Sequence, residues 1–219
     1  MNRSKKIALI STRPHKTNVQ LSDELKNSEI RLLNYPLTKI YPLNNYQIFD
    51  ATIENLKTYQ HVIFISTNAV HFFLERQKKL SIRVPKNLIF ASIGPTTKLL
   101  LEKHLSVDVH CPVKTFDSKH LLKEKIFSNV KDQKILIVRG VDGRETLKND
   151  LEKKSAIVNY GECYLRKYVD VDLNKLKNDL TNYPHKFILF SSTNSAKHFL
   201  VQLRNIETDW LQNIKIIVN

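Results

Sequence analysis

The sequence predicts an α/β fold of two similar lobes, and three observations carry that prediction. Short apolar runs recur along the 219-residue chain, each followed by a polar turn and a helix-like stretch. A twelve-residue segment then repeats: Ile63–Leu74 reads IFISTNAVHFFL and Leu189–Leu200 reads LFSSTNSAKHFL, with six identities at an offset of 126 residues. Finally, two extended stretches divide the chain. Leu33–Leu43 holds Pro36 and Pro42 and has no helical period, and Val158–Val169 is rich in β-branched and aromatic residues. Continuous apolar strands alternating with helices indicate parallel sheets covered on both faces, and a long-period repeat indicates duplicated units.

Taken in order, Lys6–Ile10 reads as a strand leading through Ser11-Thr12-Arg13-Pro14 to an amphipathic segment at Val19–Glu29. Val62–Ile65 leads through Ser66-Thr67-Asn68 to a helix at Ala69–Lys79, and Leu88–Ile93 through Gly94-Pro95-Thr96-Thr97 to Lys98–His104. Ile135–Val138 leads through the Arg139–Arg144 loop to Glu145–Lys154, and Phe187–Phe190 through Ser191–Asn194 to Ser195–Arg204. Ile214–Val218 falls on the Leu88–Ile93 strand at the same offset. A pair of connectors, 36–43 and 158–168, makes 44–157 one inserted lobe. Residues 1–35 and 169–219 form the other, discontinuous one. The cleft between such lobes is a natural ligand site.

Composition narrows the function. Hydrophobic residues make up 42% of the chain, enough for a large core, which excludes disordered and collagen-like classes. No apolar run reaches the roughly 18 residues of a membrane span. The apolar stretch after the basic N-terminus stops at Ile10, too short for a signal peptide. Cys111 and Cys163 are too few for a disulfide framework or a cysteine zinc site. A cytoplasmic protein with reduced thiols is expected.

The formal charge is +14, from 35 Lys and Arg against 21 Asp and Glu. Such a surplus attracts anions. The basic residues are 26 Lys and 9 Arg, with the lysines scattered, so most of the charge reads as a solvated surface. Arg13, Arg139, Arg144 and Arg166 are more selective, each following an apolar run, where α/β proteins place ligands. Each turn also opens a helix with Ser, Thr, Asn or Gly, and helix N-termini bind anions through free N–H groups. Ordinary capping explains any single turn; the set is what points to a polyanionic ligand. In the Arg139–Arg144 loop, Gly140 and Gly143 are expected to permit positive φ and close backbone approach, and arginine forks pair with carboxylates. No phosphate loop, dinucleotide fingerprint, nucleophile elbow or metal-ligand spacing occurs, so neither cofactor nor metal is expected.

These residues resemble the uroporphyrinogen-III synthase family. The matching stretches are STRP at Ser11–Pro14, FISTNAVHFF at Phe64–Phe73 and FASIGPTT at Phe90–Thr97. VRGVDGRETL at Val138–Leu147, ECYLRKY at Glu162–Tyr168 and FILFSSTNSAKHF at Phe187–Phe199 complete them. Their order and spacing agree over essentially the whole chain, and the RGxxGRExL loop with CYxR is the most specific part. The resemblance implies two flavodoxin-like lobes joined by a two-stranded connector, with the substrate in the cleft between them. It implies a lyase acting on hydroxymethylbilane, a linear tetrapyrrole with eight carboxylates, without metal or cofactor. Tyr164 matches the tyrosine proposed to help the hydroxyl leave as water. Arg13, Arg139 and Arg144 match basic positions, and Gly94 with Thr97 matches the G-x-x-T turn. Ser66, Thr67, Asn68, Ser191, Ser192 and Thr193 match substrate-contacting turns, and Gly140 and Gly143 the loop. A monomer is expected. The counterpart of Gly94–Thr97 would fall just past Asn219, so the discontinuous lobe is expected to lack its last helix, strand and helix.

The alternatives are a two-lobed binding protein that captures an acidic small molecule without chemistry, and a nucleic-acid-binding module. The latter calls for clustered basic and aromatic residues, which the sequence does not have.

Overall fold

The computed structural model describes residues 6–14, 18–204 and 206–218. The chain opens with β1 (Ile7–Ser11), α1 (Val19–Glu24), β2 (Ile30–Asn34) and β3 (Thr38–Pro42). It continues through α2 (Gln47–Glu54), β4 (His61–Phe64), α3 (Thr67–Lys79), β5 (Ile89–Ser92), α4 (Pro95–Leu105) and β6 (Val109–His110). Next come α5 (Ser118–Leu121), β7 (Lys134–Gly140), α6 (Thr146–Glu152) and β8 (Ile157–Tyr168). α7 (Leu173–Leu180), β9 (His185–Phe190), α8 (Thr193–Gln202) and β10 (Ile214–Val218) complete it. Among the described residues no helix is long and apolar enough to cross a membrane.

Two compact units result. One comprises the residues up to Ile40 and those from Arg166 on; the other is Tyr41–Leu165. The first carries the four-stranded sheet β10-β9-β1-β2, and the second the order β8-β7-β4-β5-β6, with β3 added beside β8. The division falls inside β3 and inside β8. Of the Val158–Val169 stretch, read as extended, all but Val169 lies in one twelve-residue strand, Ile157–Tyr168. Pairings among β1, β2, β9 and β10, and among β4 to β8, are parallel.

The 126-residue offset is written into the register of both sheets. Ala8 pairs with Arg31, and Lys134 with Ile157. Leu9 pairs with Phe187, and Ile135 with His61. Ile188 pairs with Ile216, and Val62 with Phe90. Every partner shifts by the same 126, so β1, β2, β9 and β10 correspond to β7, β8, β4 and β5.

Each unit has its own core, because parallel strands bury both faces and their helices cover them. In the Tyr41–Leu165 unit Ile63, Ile135, Ile137, Phe127, Leu147 and Leu151 pack together on one side of the sheet. Phe64 meets Phe73 of α3 edge-on at 5.1 Å and Phe90 at 6.4 Å, and all three are buried. In the other unit Ala8, Ile10, Leu176, Leu180, Ile188 and Phe199 form the core. Full burial of one such side chain contributes about 1.5–3 kcal/mol.

Three local differences from the sequence expectation have physical causes. The Val19–Glu29 helix stops at Glu24 and gives way to turns; no side chain caps its start, and its last turn holds no basic residue. The expectation includes no helix between Val169 and Phe187, yet α7 forms there. Asp172 caps it by accepting from Lys175 N–H at 2.8 Å, and Leu176 and Leu180 bury one face. With only four glycines, the chain puts Ser81, Ser106, Asp132, Asp142, Ser155 and Asn213 in the left-handed region, and no described glycine is there.

Candidate functional site at the carboxyl edges of the sheets

In a parallel sheet all the strand-to-helix turns emerge on one edge. Ligands bind there, where neighbouring strands lead their connections in opposite directions. In the Tyr41–Leu165 unit the order runs from β4 outward through β5 to β6, and from β7 the other way to β8. The switch point therefore lies between β4 and β7. It brings together the turn at Ser66–Asn68, the Arg139–Arg144 loop and Tyr164 of β8, which pairs with Gly140 at the end of β7. Gly94 and Thr97 follow β5, one strand further out. In the other unit the switch lies between β1 and β9. It joins Arg13 to Ser191, Ser192 and Thr193, with Thr12 Oγ1 donating to Leu189 O at 2.8 Å.

Ser66 is the N-cap of α3, and its Oγ accepts from Ala69 N–H at 3.2 Å. The N–H groups of Thr67 and Asn68 have no acceptor among the described residues. They are the free donors a helix start leaves. α8 starts the same way: Ser192 Oγ accepts from Ser195 N–H at 3.1 Å. At α4 the cap is Gly94, with Pro95 in the first turn and Thr97 N–H donating to Gly94 O at 3.1 Å. Fewer donors remain free there, and Thr97 itself is buried.

The Arg139–Arg144 loop departs most from expectation. Arg139 lies within β7, not after it, and is 2% exposed. Its guanidinium donates to Gly140 O at 3.0 Å and to Glu145 Oε1 at 3.2 Å, and lies 3.6 Å from Glu162 Oε1. It also stacks over Tyr160 at 4.2 Å. Its charge is therefore engaged inside the chain, and the side chain organises the loop instead of presenting a free fork. Tyr160 donates to Glu145 Oε2 at 2.7 Å; that bond first, and Arg139 second, hold the Glu145 carboxyl below its usual range. Burial pushes the Tyr160 phenol up, with the Glu145 hydrogen bond adding to it. Burial also raises Glu162, outweighing the pull of Arg139. Arg144, by contrast, is exposed and has no ion pair among the described residues. Arg166 lies inside β8 rather than in a turn.

The loop glycines act through size, not through φ. A Cβ on Gly140 would fall 2.5 Å from the Tyr164 ring, and one on Gly143 would fall 2.6 Å from the Arg139 guanidinium. Asp142, at φ 59°, makes the left-handed turn between them. Both close approaches are to the chain's own side chains. Gly94 faces open space.

Tyr164 is 2% exposed. Its ring stacks on Phe72 at 5.8 Å, and its hydroxyl lies 3.1 Å from Ser66 Oγ. The sequence brings Tyr164 into the site, but nothing in it indicates the bond to Ser66, which joins residues 98 positions apart. Cys163 beside it is buried, and burial pushes its thiol well up, away from a thiolate. Arg13 is partly buried, its N–H donating to Ser11 Oγ at 3.4 Å. Sequence reading missed that the 126-residue offset also sets Arg13 on Arg139. The signal was available in STRP and IVRG, which share only the arginine. Among the described residues no three His, Cys, Asp or Glu side chains gather as a metal-ligand set.

Known uroporphyrinogen-III synthases match both the sequence and this architecture. Residues 19–218 match the family described as uroporphyrinogen-III synthase HemD. The chain is 26% identical over 164 residues to uroporphyrinogen-III synthase of Proteus mirabilis, covering 75% of this chain and 82% of that protein. It is 23% identical over 214 residues to the porphyrin biosynthesis protein HemD of Ruminiclostridium josui, covering 95% of this chain and 42% of that longer protein. Among solved structures, a mutant uroporphyrinogen III synthase of Thermus thermophilus matches at a TM-score of 0.66 and 12% identity, covering 97% of this chain and 84% of that one. The uroporphyrinogen-III synthetase of Helicobacter pylori matches at 0.56 and 16%, covering 98% and 83%.

Proposed function

The chain belongs to the uroporphyrinogen-III synthase family, and we propose that it converts hydroxymethylbilane to uroporphyrinogen III. In that reaction the terminal hydroxyl of the linear tetrapyrrole leaves as water, the last ring inverts through a spiro intermediate, and the macrocycle closes. The observation that carries this reading is the cluster at the β4/β7 switch point: free α3 N–H groups, the exposed Arg144, and the Ser66–Tyr164 hydroxyl pair.

The substrate carries eight carboxylates and is flexible. Holding it in one reactive geometry lowers the barrier by proximity and orientation. The N–H groups of Thr67 and Asn68, and their counterparts at Thr193 and Asn194, suit carboxylates because they are backbone donors at helix starts. Arg144 supplies an exposed cation. Arg139 holds the loop through Gly140 O and Glu145 rather than touching substrate. Gly94, Gly140, Gly143 and Thr97 shape the turns, and Arg13, Ser191, Ser192 and Thr193 serve the switch point of the other unit. We place the protein in the cytoplasm as a monomer working without cofactor.

The test supplies hydroxymethylbilane and resolves the uroporphyrin isomers. Type III in excess of the type I that forms spontaneously supports the reading; type I alone overturns it. A binding protein for acidic small molecules would bind the tetrapyrrole tightly and leave the isomer ratio at the spontaneous value.

A further inference from the structure

We infer that Tyr164 acts through Ser66, and that the Ser66 hydroxyl is the group that hands a proton to the departing hydroxyl. The inference rests on the function proposed above.

A serine hydroxyl has one proton to donate and two lone pairs. One lone pair of Ser66 Oγ accepts from Ala69 N–H at 3.2 Å. The Tyr164 hydroxyl at 3.1 Å is the other partner. Among the described residues the phenol has no second partner, and Tyr164 is 2% exposed. A buried O–H without an acceptor is costly. The satisfied arrangement therefore has Tyr164 O–H donating to Ser66 Oγ. Both serine lone pairs are then filled, and its own proton must point elsewhere. Ser66 is only partly buried and starts α3 beside the free N–H groups of Thr67 and Asn68. Its hydroxyl becomes an obligate donor toward whatever occupies that edge, and chained hydrogen bonds strengthen such a donor.

The Tyr164 ring is held where it is. It fills the space left by the missing Cβ of Gly140 and stacks on Phe72. Swinging the phenol out to a ligand would expose a buried ring, whereas Ser66 needs no movement. Tyr164 is thus a positioning residue and proton reserve. In the step itself the carbon–oxygen bond of the hydroxymethyl group breaks, with both electrons staying on oxygen. Ser66 supplies the proton that makes it water, and Tyr164 refills Ser66. The proton released from the pyrrole when the new carbon–carbon bond forms passes to Ser66, whose own proton returns to Tyr164 along the same hydrogen bond.

The experiment is a double-mutant cycle of Ser66→Ala, Tyr164→Phe and the pair, with Ser66→Thr as the conservative variant. The kcat and KM for type III formation are read alongside urea unfolding. The wild-type isomer ratio is measured first. Only type I from the wild type overturns the functional reading, and the relay with it. With an active wild type, Ser66→Ala is expected to lower kcat by about 100-fold, the scale of a lost proton donor, with KM little changed. Tyr164→Phe should lower it less, the double variant should match Ser66→Ala, and Ser66→Thr should retain activity. If Ser66→Ala does not fold, Ser66→Gly replaces it, since glycine is a good cap. Losses that multiply, or a Tyr164→Phe defect larger than that of Ser66→Ala, overturn the relay alone.

Discussion

Ser66 and Ser192 cap α3 and α8 at positions 126 residues apart, with φ and ψ of −161° and 160° in one and −164° and 154° in the other. Each accepts from the N–H three residues on. Their second hydrogen bonds differ. Ser192 Oγ lies 2.9 Å from Ser195 Oγ on its own helix, while Ser66 has Ala69 at that position and reaches Tyr164 on β8. The duplicated register reproduces backbone geometry, and the side chains around it then diverge. Chemistry is sought where equivalent backbones have different partners.

The largest difference lies at the outer strands. Phe90 of β5 and Ile216 of β10 are equivalent, yet Phe90 is 1% exposed and Ile216 is 66% exposed. β6 pairs with the outer edge of β5, and α4 packs against it; among the described residues β10 is an edge strand. Phe90→Ala should therefore cost about 3–5 kcal/mol, and Ile216→Ala under about 0.5 kcal/mol. Urea unfolding of both variants checks the contrast, and similar costs would break the difference of environment drawn from burial.

Glycines give the next contrast. Gly140→Ala forces a Cβ against the buried Tyr164 ring, 2.5 Å away, and should cost about 2 kcal/mol or more. Gly94→Ala enters open space and loses only some capping quality, below about 1 kcal/mol. The same unfolding measurement distinguishes them. If Gly140→Ala were as mild as Gly94→Ala, the ring would not be locked, and the positioning role of Tyr164 would lose its basis.

Much of this was legible in the sequence, and what was not shares a cause. Strand–turn–helix units were readable because each couples a local apolar run to a local cap, as at Val62–Ser66 and Phe187–Ser192. The α/β class followed from them. The repeat was visible in the identities of β4-α3 and β9-α8 and in the apolar run of β5 that falls on β10 at the same offset; its extension to β1 and β7 lies in pairing register, which no short identity marks. Tyr164, Ser66, Gly140 and Arg139 were all named as site residues, but as separate contacts with a ligand. That Gly140 makes room for Tyr164 and Gly143 for Arg139 depends on packing across strands, and composition carries no trace of it.

The two serine caps, one in each unit, differ less than the two glycines do. Ser192→Ala should cost about 1 kcal/mol, a typical cap loss. The Ser195 hydroxyl it strands can rotate toward a carbonyl one turn back. Ser66→Ala loses the same cap and also strands a phenol that cannot turn away, adding about 1 kcal/mol. Equal costs in urea unfolding would mean that the Tyr164 hydroxyl finds another acceptor.

The smallest expected effect is a difference in pH response. His61 begins β4, and the equivalent position in β9 is Phe187, which does not titrate. His61 is 1% exposed, stacks on Phe127 at 5.4 Å and has Nε2 2.7 Å from Gln133 Oε1. Burial holds its pKa below the ordinary value of about 6.5, against the pull of the Gln133 hydrogen bond and with a small push from His110. Above that value the residue is neutral in folded and unfolded chains alike, and contributes no slope. As the pH falls below about 6.5 the unfolded chain takes up the proton first, so stability drops until the lowered folded pKa is reached. His61→Phe, which installs the residue of the other unit, removes this contribution. The variant should lose less stability than the wild type between pH 7 and the folded pKa, whatever the remaining histidines do in both. Parallel pH profiles would mean that His61 is as easily protonated in the fold as in the open chain.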